Sequence, residues 1–182
     1  MFSIRPARHD DDDAIWVILE PVLRAGETYT LPRDVSRDDA LAYWCRQDHD
    51  VFVAEDTGHI IGTYFLRANQ LGGGSHVANC GYMTSSSVQG KGVGRAMLEH
   101  SLAHARARGF RAMQFNFVVS TNDRAVKTWQ AYGFETVGRL PGAFNHPQLG
   151  FVDALVMHPI AAPPTYWISA FSGSELVLVK VV

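Results

Sequence analysis

Only two cysteines, Cys45 and Cys80, occur in 182 residues. They make neither a disulfide framework nor a metal set, and a reducing cytoplasm is the expected setting. Basic character is equally scarce: 16 Lys and Arg stand against 18 Asp and Glu, for a net charge of −2. With no basic run, the electrostatic footprint of a nucleic-acid surface is absent and no nucleic-acid partner is expected. No apolar stretch approaches the roughly 18 residues of a membrane span, which excludes a membrane partner of that kind. The opening Met1-Phe2-Ser3-Ile4-Arg5-Pro6 lacks the layout of a signal peptide. What remains, 47% hydrophobic and 19% charged, is an ordinary globular composition with enough length for a proper core. The expected organisation is a domain over residues 1–159 and an extension over 160–182, with Ala161-Ala162-Pro163-Pro164 as linker and a strand-like end at 175–182.

Punctuation and periodicity predict the element order β-α-α-β-β-β-α-β-α-β-β, an α+β mixed sheet with helices on both faces. Phe2-Ser3-Ile4-Arg5 alternates and stops at Pro6. Asp10 to Asp13 place negative charge at a helix start, which reads as a helix entrance and not a metal cluster. Pro21 is expected to end or kink that helix near Glu20. Ser36 and Asp39 resemble a capping box for a second helix, with Leu41, Trp44 and Cys45 inward. Residues 51–54 and 60–66 form a hairpin, and Gly72-Gly73-Gly74-Ser75 reads as a flexible loop. Val77–Thr84 and 112–118 read as further strands, and 140–149 as a loop inside a last antiparallel pair.

The most informative stretch is Gln89-Gly90-Lys91-Gly92-Val93-Gly94-Arg95, between the strand Val77–Thr84 and a helix whose apolar positions are Met97, Leu98, Leu102 and Ala105. Strand, glycine-rich loop and helix N-terminus together make an anion site. Glycine lets the backbone approach closely, first-turn N–H groups point outward, and the positive end of the helix dipole lies behind them. Lys91 and Arg95 add charge suited to phosphate. Gly92 follows Lys91 where a Walker loop needs Ser or Thr, and G-x-G-x-G in mid-chain misses the dinucleotide fingerprint. The spacing of Gln89, Gly92 and Gly94 does satisfy Q/R-x-x-G-x-G/A. A tight turn capping a helix is the plainer alternative for the loop taken alone.

Three separated pieces resemble the GCN5-related N-acetyltransferases. Gly81-Tyr82-Met83-Thr84-Ser85-Ser86-Ser87-Val88-Gln89-Gly90-Lys91-Gly92-Val93-Gly94 is similar to that family's central strand and acyl-CoA loop without a gap. Asn122-x-x-Ala125 followed by Gly133-Phe134 resembles its second motif, and Ile4-Arg5-Pro6-Ala7 its opening. The resemblance implies acetyl-CoA as co-substrate, no metal, and direct attack of an acceptor amine in a ternary complex. It also implies two central strands that splay after a bulge to admit the pantetheine arm, with backbone bonds at Met83 and Thr84. The pyrophosphate would rest on N–H groups from Gln89 to Arg95, and Asn122 would reach the arm. Relatives often dimerise, so a homodimer is a further expectation.

The chain departs from the family pattern in two places. Trp129 stands where many members carry a tyrosine acid, and an indole cannot serve as one. Asn79 stands where many use a glutamate base, so deprotonation through water, or capture of neutral amine, is expected. Asn79 and Asn116 interrupt apolar strands 37 positions apart, and a buried amide without partners costs about 1–3 kcal/mol. Satisfied structural amides are the plainer reading; as a pair they read as acceptor ligands and catalytic residues. They also resemble the paired asparagines of acetyltransferases acting on azetidine-2-carboxylate and proline-like amino acids. Glu27 and Tyr29 correspond to the loop covering the acceptor pocket in amino-acid-acetylating relatives, and His146, in the late loop, is a third acceptor contact. His100 and His104 lack the glutamate of HExxH and read as a solvated helix face. Cys80 reads as a buried, inert thiol. The expected activity is N-acetylation of a small-molecule amine, an amino acid or analogue; a protein N-terminal or lysine acetyltransferase and a non-catalytic acyl-CoA sensor are the alternatives.

Overall fold

A computed structural model describes residues 2–159; the expected linker and the strand-like end at 175–182 lie outside the described residues. The elements are β1 (Ser3–Pro6), α1 (Asp12–Ala25), α2 (Arg37–Trp44), β2 (Asp50–Asp56), β3 (His59–Ala68) and β4 (Val77–Thr84). There follow α3 (Val93–Ala107), β5 (Ala112–Met113), β6 (Phe115–Val119), α4 (Asp123–Ala131), β7 (Phe134–His146) and β8 (Gly150–Pro159). β1 to β4 are antiparallel neighbours in order, β5 pairs parallel with β4, and β6, β8 and β7 form a second antiparallel sheet in that order. The expected α+β mixed sheet is thus observed.

Both faces of the first sheet are covered, which explains its nearly continuous apolar strands. Phe52, Tyr64, Leu66 and Cys80 pack with Met97 and Leu98 of α3 and Trp129 of α4. The alternate residues Val53, Phe65 and Met83 pack with Ile15, Ile18 and Leu19 of α1 and with Leu41 and Trp44 of α2. The two β2–β3 turn residues, Thr57 and Gly58, both have positive φ (48° and 83°), as a two-residue hairpin following the sheet twist requires. Ser36 caps α2 by accepting the Asp39 N–H at 3.1 Å, worth about 1 kcal/mol.

Several expectations are corrected. α1 runs through Pro21 to Ala25: the carbonyl this proline strips of its partner belongs to Val17, on an exposed face where water can satisfy it. Asp11 does more than start that helix, since its carboxylate holds Arg5 at 2.7 and 2.9 Å while nearly buried. On α2, Ala40 faces inward and Cys45 is exposed. Gly72–Gly74 is a 3-10 turn. Residues 140–146 continue β7, because a register shift between Leu140 and Phe144 absorbs Pro141 and Gly142; β7 is an edge strand, where proline's missing donor is tolerated. His100 and His104 are no solvated face: both rings pack on Phe52, His100 bonds the Tyr64 hydroxyl at 2.6 Å, and His104 bonds Asp50 at 2.9 Å.

Candidate active site

The glycine loop folds as its sequence demands. Gly90 and Gly92 both sit at φ 78°, a left-handed geometry that side chains disfavour, and Gly92 is the N-cap of α3. The Ala96 N–H makes the first bond of the helix, to the Gly92 carbonyl at 2.9 Å. The N–H groups of Val93, Gly94 and Arg95 therefore precede the intrahelical ladder and face outward. A Cβ built on Gly90, Gly92 or Gly94 would meet nothing within 4 Å, so the surface over these donors is open. Val93 is buried beneath, against Gly62 of β3, and fixes the loop to the sheet. Lys91 and Gln89 are exposed. The Arg95 side chain turns back along α3 to Glu99 at 3.0 Å and the Tyr132 hydroxyl at 2.7 Å. An anion with several oxygens fits this cradle, the shape the pyrophosphate of acetyl-CoA requires.

The opening in the sheet lies beside β4. The β3–β4 register is continuous from Ala68↔Ala78 to Gly62↔Thr84, so β4 has no bulge against β3, contrary to the expectation. Bonds from Asn69 N–H to Val77 and from Ser85 N–H to Ile61 turn the odd-numbered β4 backbone groups toward β3 and the even-numbered ones toward the opening. The backbone of Met83 therefore faces Thr63 and its side chain is buried, and the backbone groups facing the opening beside it belong to Tyr82 and Thr84.

The split arises across from β4, at Gln114. Its N–H bonds the Ala78 carbonyl at 2.8 Å, and a regular parallel ladder would next bring the Cys80 N–H to the Gln114 carbonyl. That carbonyl instead accepts the side-chain N–H of Asn79 at 2.8 Å. Asn79 thus replaces one rung and ends the ladder, leaving the edge from Cys80 to Thr84 uncovered by β6. A backbone carbonyl only accepts, so the Asn79 amide must present its NH2 to Gln114. Its Oδ1 then has no donor among the described residues.

Asn116 meets the same residue from the other side. Its Oδ1 accepts from the Gln114 side chain at 2.8 Å, and its Nδ2 donates to Asn69 at 2.6 Å. The two expected asparagines are thus brought together around Gln114. Gln114 and the nearly buried Asn69 were missed by sequence reasoning, although Gln114 interrupts an apolar strand two positions before Asn116. Tyr29, in the α1–α2 loop, donates to the Tyr82 carbonyl at 3.0 Å, and its hydroxyl would lie 3.2 Å from a Cβ on Gly81. Burial pushes that phenol's pKa up, which keeps it a donor. Glu27, in the same loop, makes no bond with the described residues and is part-exposed.

The remaining expected residues have structural partners of their own. Asn122 caps α4, accepting the Ala125 N–H at 3.2 Å. His146 is buried at the tip of the β7–β8 ribbon, where its Nδ1 accepts the N–H groups of Gln148 and Leu149 at 3.2 and 3.3 Å; that nitrogen caps a turn. Trp129 stacks on Phe115, ring centres 4.5 Å apart, as part of the core. Burial pushes the Cys80 thiol up to about 12, so it is a protonated core group and no nucleophile.

Comparison with known proteins agrees with this architecture. The family model described as the acetyltransferase (GNAT) family matches residues 15–134. N-acetyltransferase aca1 of Schizosaccharomyces pombe is 31% identical over 98 residues, 53% of this chain and 47% of that protein. Protein SPT10 of Saccharomyces cerevisiae is 24% identical over 83 residues, 46% of this chain and 13% of that protein. The chain therefore spans about half or less of these curated relatives. A GCN5-related N-acetyltransferase structure from Kribbella flavida superposes with TM-score 0.83 at 37% identity, over 87% of this chain and 98% of that one. The Salmonella typhimurium protein yncA, solved with its cofactor acetyl-CoA, shares the fold at TM-score 0.76 and 24% identity, over 91% and 99%. With its model matched across the cradle and both core layers, the chain belongs to the GNAT family of acetyltransferases.

Proposed function

We propose that this chain transfers the acetyl group of acetyl-CoA to the amine of a small molecule, an amino acid or a proline-like analogue, by direct attack in a ternary complex. The observation that carries this reading is the Asn79 amide: it ends the β4–β5 ladder and leaves its own Oδ1 without a donor among the described residues at the edge of the opening. Acetyl-CoA supplies the acetyl group as an activated thioester. The N–H groups of Val93, Gly94 and Arg95 hold its pyrophosphate, and the outward backbone of Tyr82 and Thr84 aligns the arm. The N–H groups on the open edge of β4 are aimed where the carbonyl oxygen gains charge. Asn79 Oδ1 accepts an N–H from the attacking amine and orients it, and Asn116, held by Gln114 and Asn69, shapes the wall opposite. As the C–N bond forms and the C–S bond breaks, CoA leaves as its thiolate and water removes the amine proton, since Asn79 is no base; the thiolate takes up a proton from solvent.

Thiol release from acetyl-CoA against a panel of amino acids and imino acids tests this. Asn79→Ala and Asn116→Ala should each lower turnover at least about thirtyfold, in the range of lost positioning contacts, with acetyl-CoA affinity within about threefold. Unchanged turnover removes them from the site. Trp129 and Asn79 in place of tyrosine and glutamate favour one competing reading, an acyl-CoA sensor; tight acetyl-CoA binding with no thiol release by any acceptor would establish it.

A further inference from the structure

Resting on the reading of an amino-acid acceptor beside Asn79, we infer that Arg67 on β3 binds the acceptor's carboxylate. Arg67 lies directly opposite Asn79 in the β3–β4 register. Directly paired residues share a sheet face, with Cβ atoms about 4.5–5.5 Å apart. That face is the one bearing Phe65, Tyr29 and α2, because Phe65 and Gly81 form the next pair of the same parity. A carboxamide that accepts from an amine and a guanidinium fork that matches a carboxylate therefore stand side by side on the face covered by the α1–α2 loop.

The charge of Arg67 is not already answered. Arg5, Arg37, Arg46 and Arg139 each hold an acidic side chain within 3.0 Å. Arg67 donates one N–H to the Ala68 carbonyl at 3.1 Å and pairs with no carboxylate among the described residues. It is half-buried, where a cation is screened less than at the surface and an incoming anion gains more. Its aromatic neighbour His49 stacks on Phe65 with ring centres 4.3 Å apart. Burial, the largest cause, and the charge of Arg67 both lower the His49 pKa, so near neutrality the ring is an uncharged aromatic neighbour. An α-amino or imino acid presents its amine and carboxylate two bonds apart, a spacing suited to two adjacent side chains. A polypeptide N-terminus has no carboxylate there, so this anchor selects free amino acids over proteins.

The test compares the best acceptor of the thiol-release panel with its methyl ester, using wild type, Arg67→Met and Arg67→Lys. The anchor predicts that the ester is a poor acceptor for wild type and that Arg67→Met raises KM for the free acid at least about thirtyfold. Turnover number, acetyl-CoA affinity and the residual rate with the ester should stay within about threefold, and Arg67→Lys should restore part of the loss. Equal use of acid and ester, unaffected by Arg67→Met, overturns the anchor while leaving the acetyltransferase intact. Should no acceptor be turned over, thermal stabilisation by each acid and ester in the presence of CoA reads the anchor directly. Stabilisation by acids alone, lost in Arg67→Met, keeps the anchor and removes the enzyme reading; no difference between acid and ester overturns the anchor.

Discussion

The proposed cofactor side and the proposed acceptor side of this molecule are built from different materials. The cradle at the start of α3 is made of backbone: the outward N–H groups of Val93, Gly94 and Arg95, over glycines that leave their surface clear. The proposed acceptor side is made of side chains from separate stretches of the chain: Tyr29, Arg67 with Asn69, Asn79, and the Gln114–Asn116 pair. A backbone site is contiguous in sequence and tolerates few residue types, whereas a side-chain site is assembled by topology and tolerates many. The first kind is suited to a ligand common to a whole family, and the second to one that differs between members.

Gly94→Val should separate the two most sharply. Gly94 has no positive φ and open space around its Cβ, so the substitution leaves the fold in place while valine covers the donors. Acetyl-CoA affinity should fall about a hundredfold, some 2.8 kcal/mol, with the melting temperature changed by no more than about 3 °C; calorimetric titration and thermal unfolding read the two. Unaltered affinity would move the pyrophosphate away from this loop. Tyr29→Phe probes the seam between the sides. Loss of one hydrogen bond to the Tyr82 carbonyl is worth about 1 kcal/mol, so kcat/KM should fall about fivefold, and an unchanged value would make the contact incidental.

The smallest effect concerns acidity. His49 and His100 both have pKa values lowered from 6.5, in each case first by burial. The unfolded chain therefore takes up protons at these rings near pH 6.5, before the folded chain does. Their contribution to stability is complete above that pH and is lost as pH falls below it. Melting temperature should drop by a few degrees between pH 7 and 5, at about 2–4 °C per kcal/mol. His100→Asn, which keeps a partner for Tyr64 without titrating, should flatten part of that slope.

The contrast also explains what was legible in the sequence. Gly90, Gly92 and the helix after them are read directly, because positive φ and a helix N-terminus restrict residue identity locally. Asn79 and Asn116 stand out as amides in apolar strands, but that Gln114 joins them depends on where a parallel ladder stops, which no local pattern records. Pro21 reads as a break and 140–149 as a loop since the cost of a proline depends on whether the freed carbonyl or missing donor faces water, a tertiary fact. The resemblance places Met83 and Thr84 together at the opening, but which of two successive backbones faces it depends on the β3 register.

The bond from Tyr29 to the Tyr82 carbonyl joins the loop over the acceptor to a peptide on the strand edge offered to the cofactor. In the proposed complex one peptide is thus shared by both ligands. Variants of the α1–α2 loop selected for a new acceptor would carry altered acetyl-CoA saturation with them, and screening them at a single cofactor concentration would misrank them.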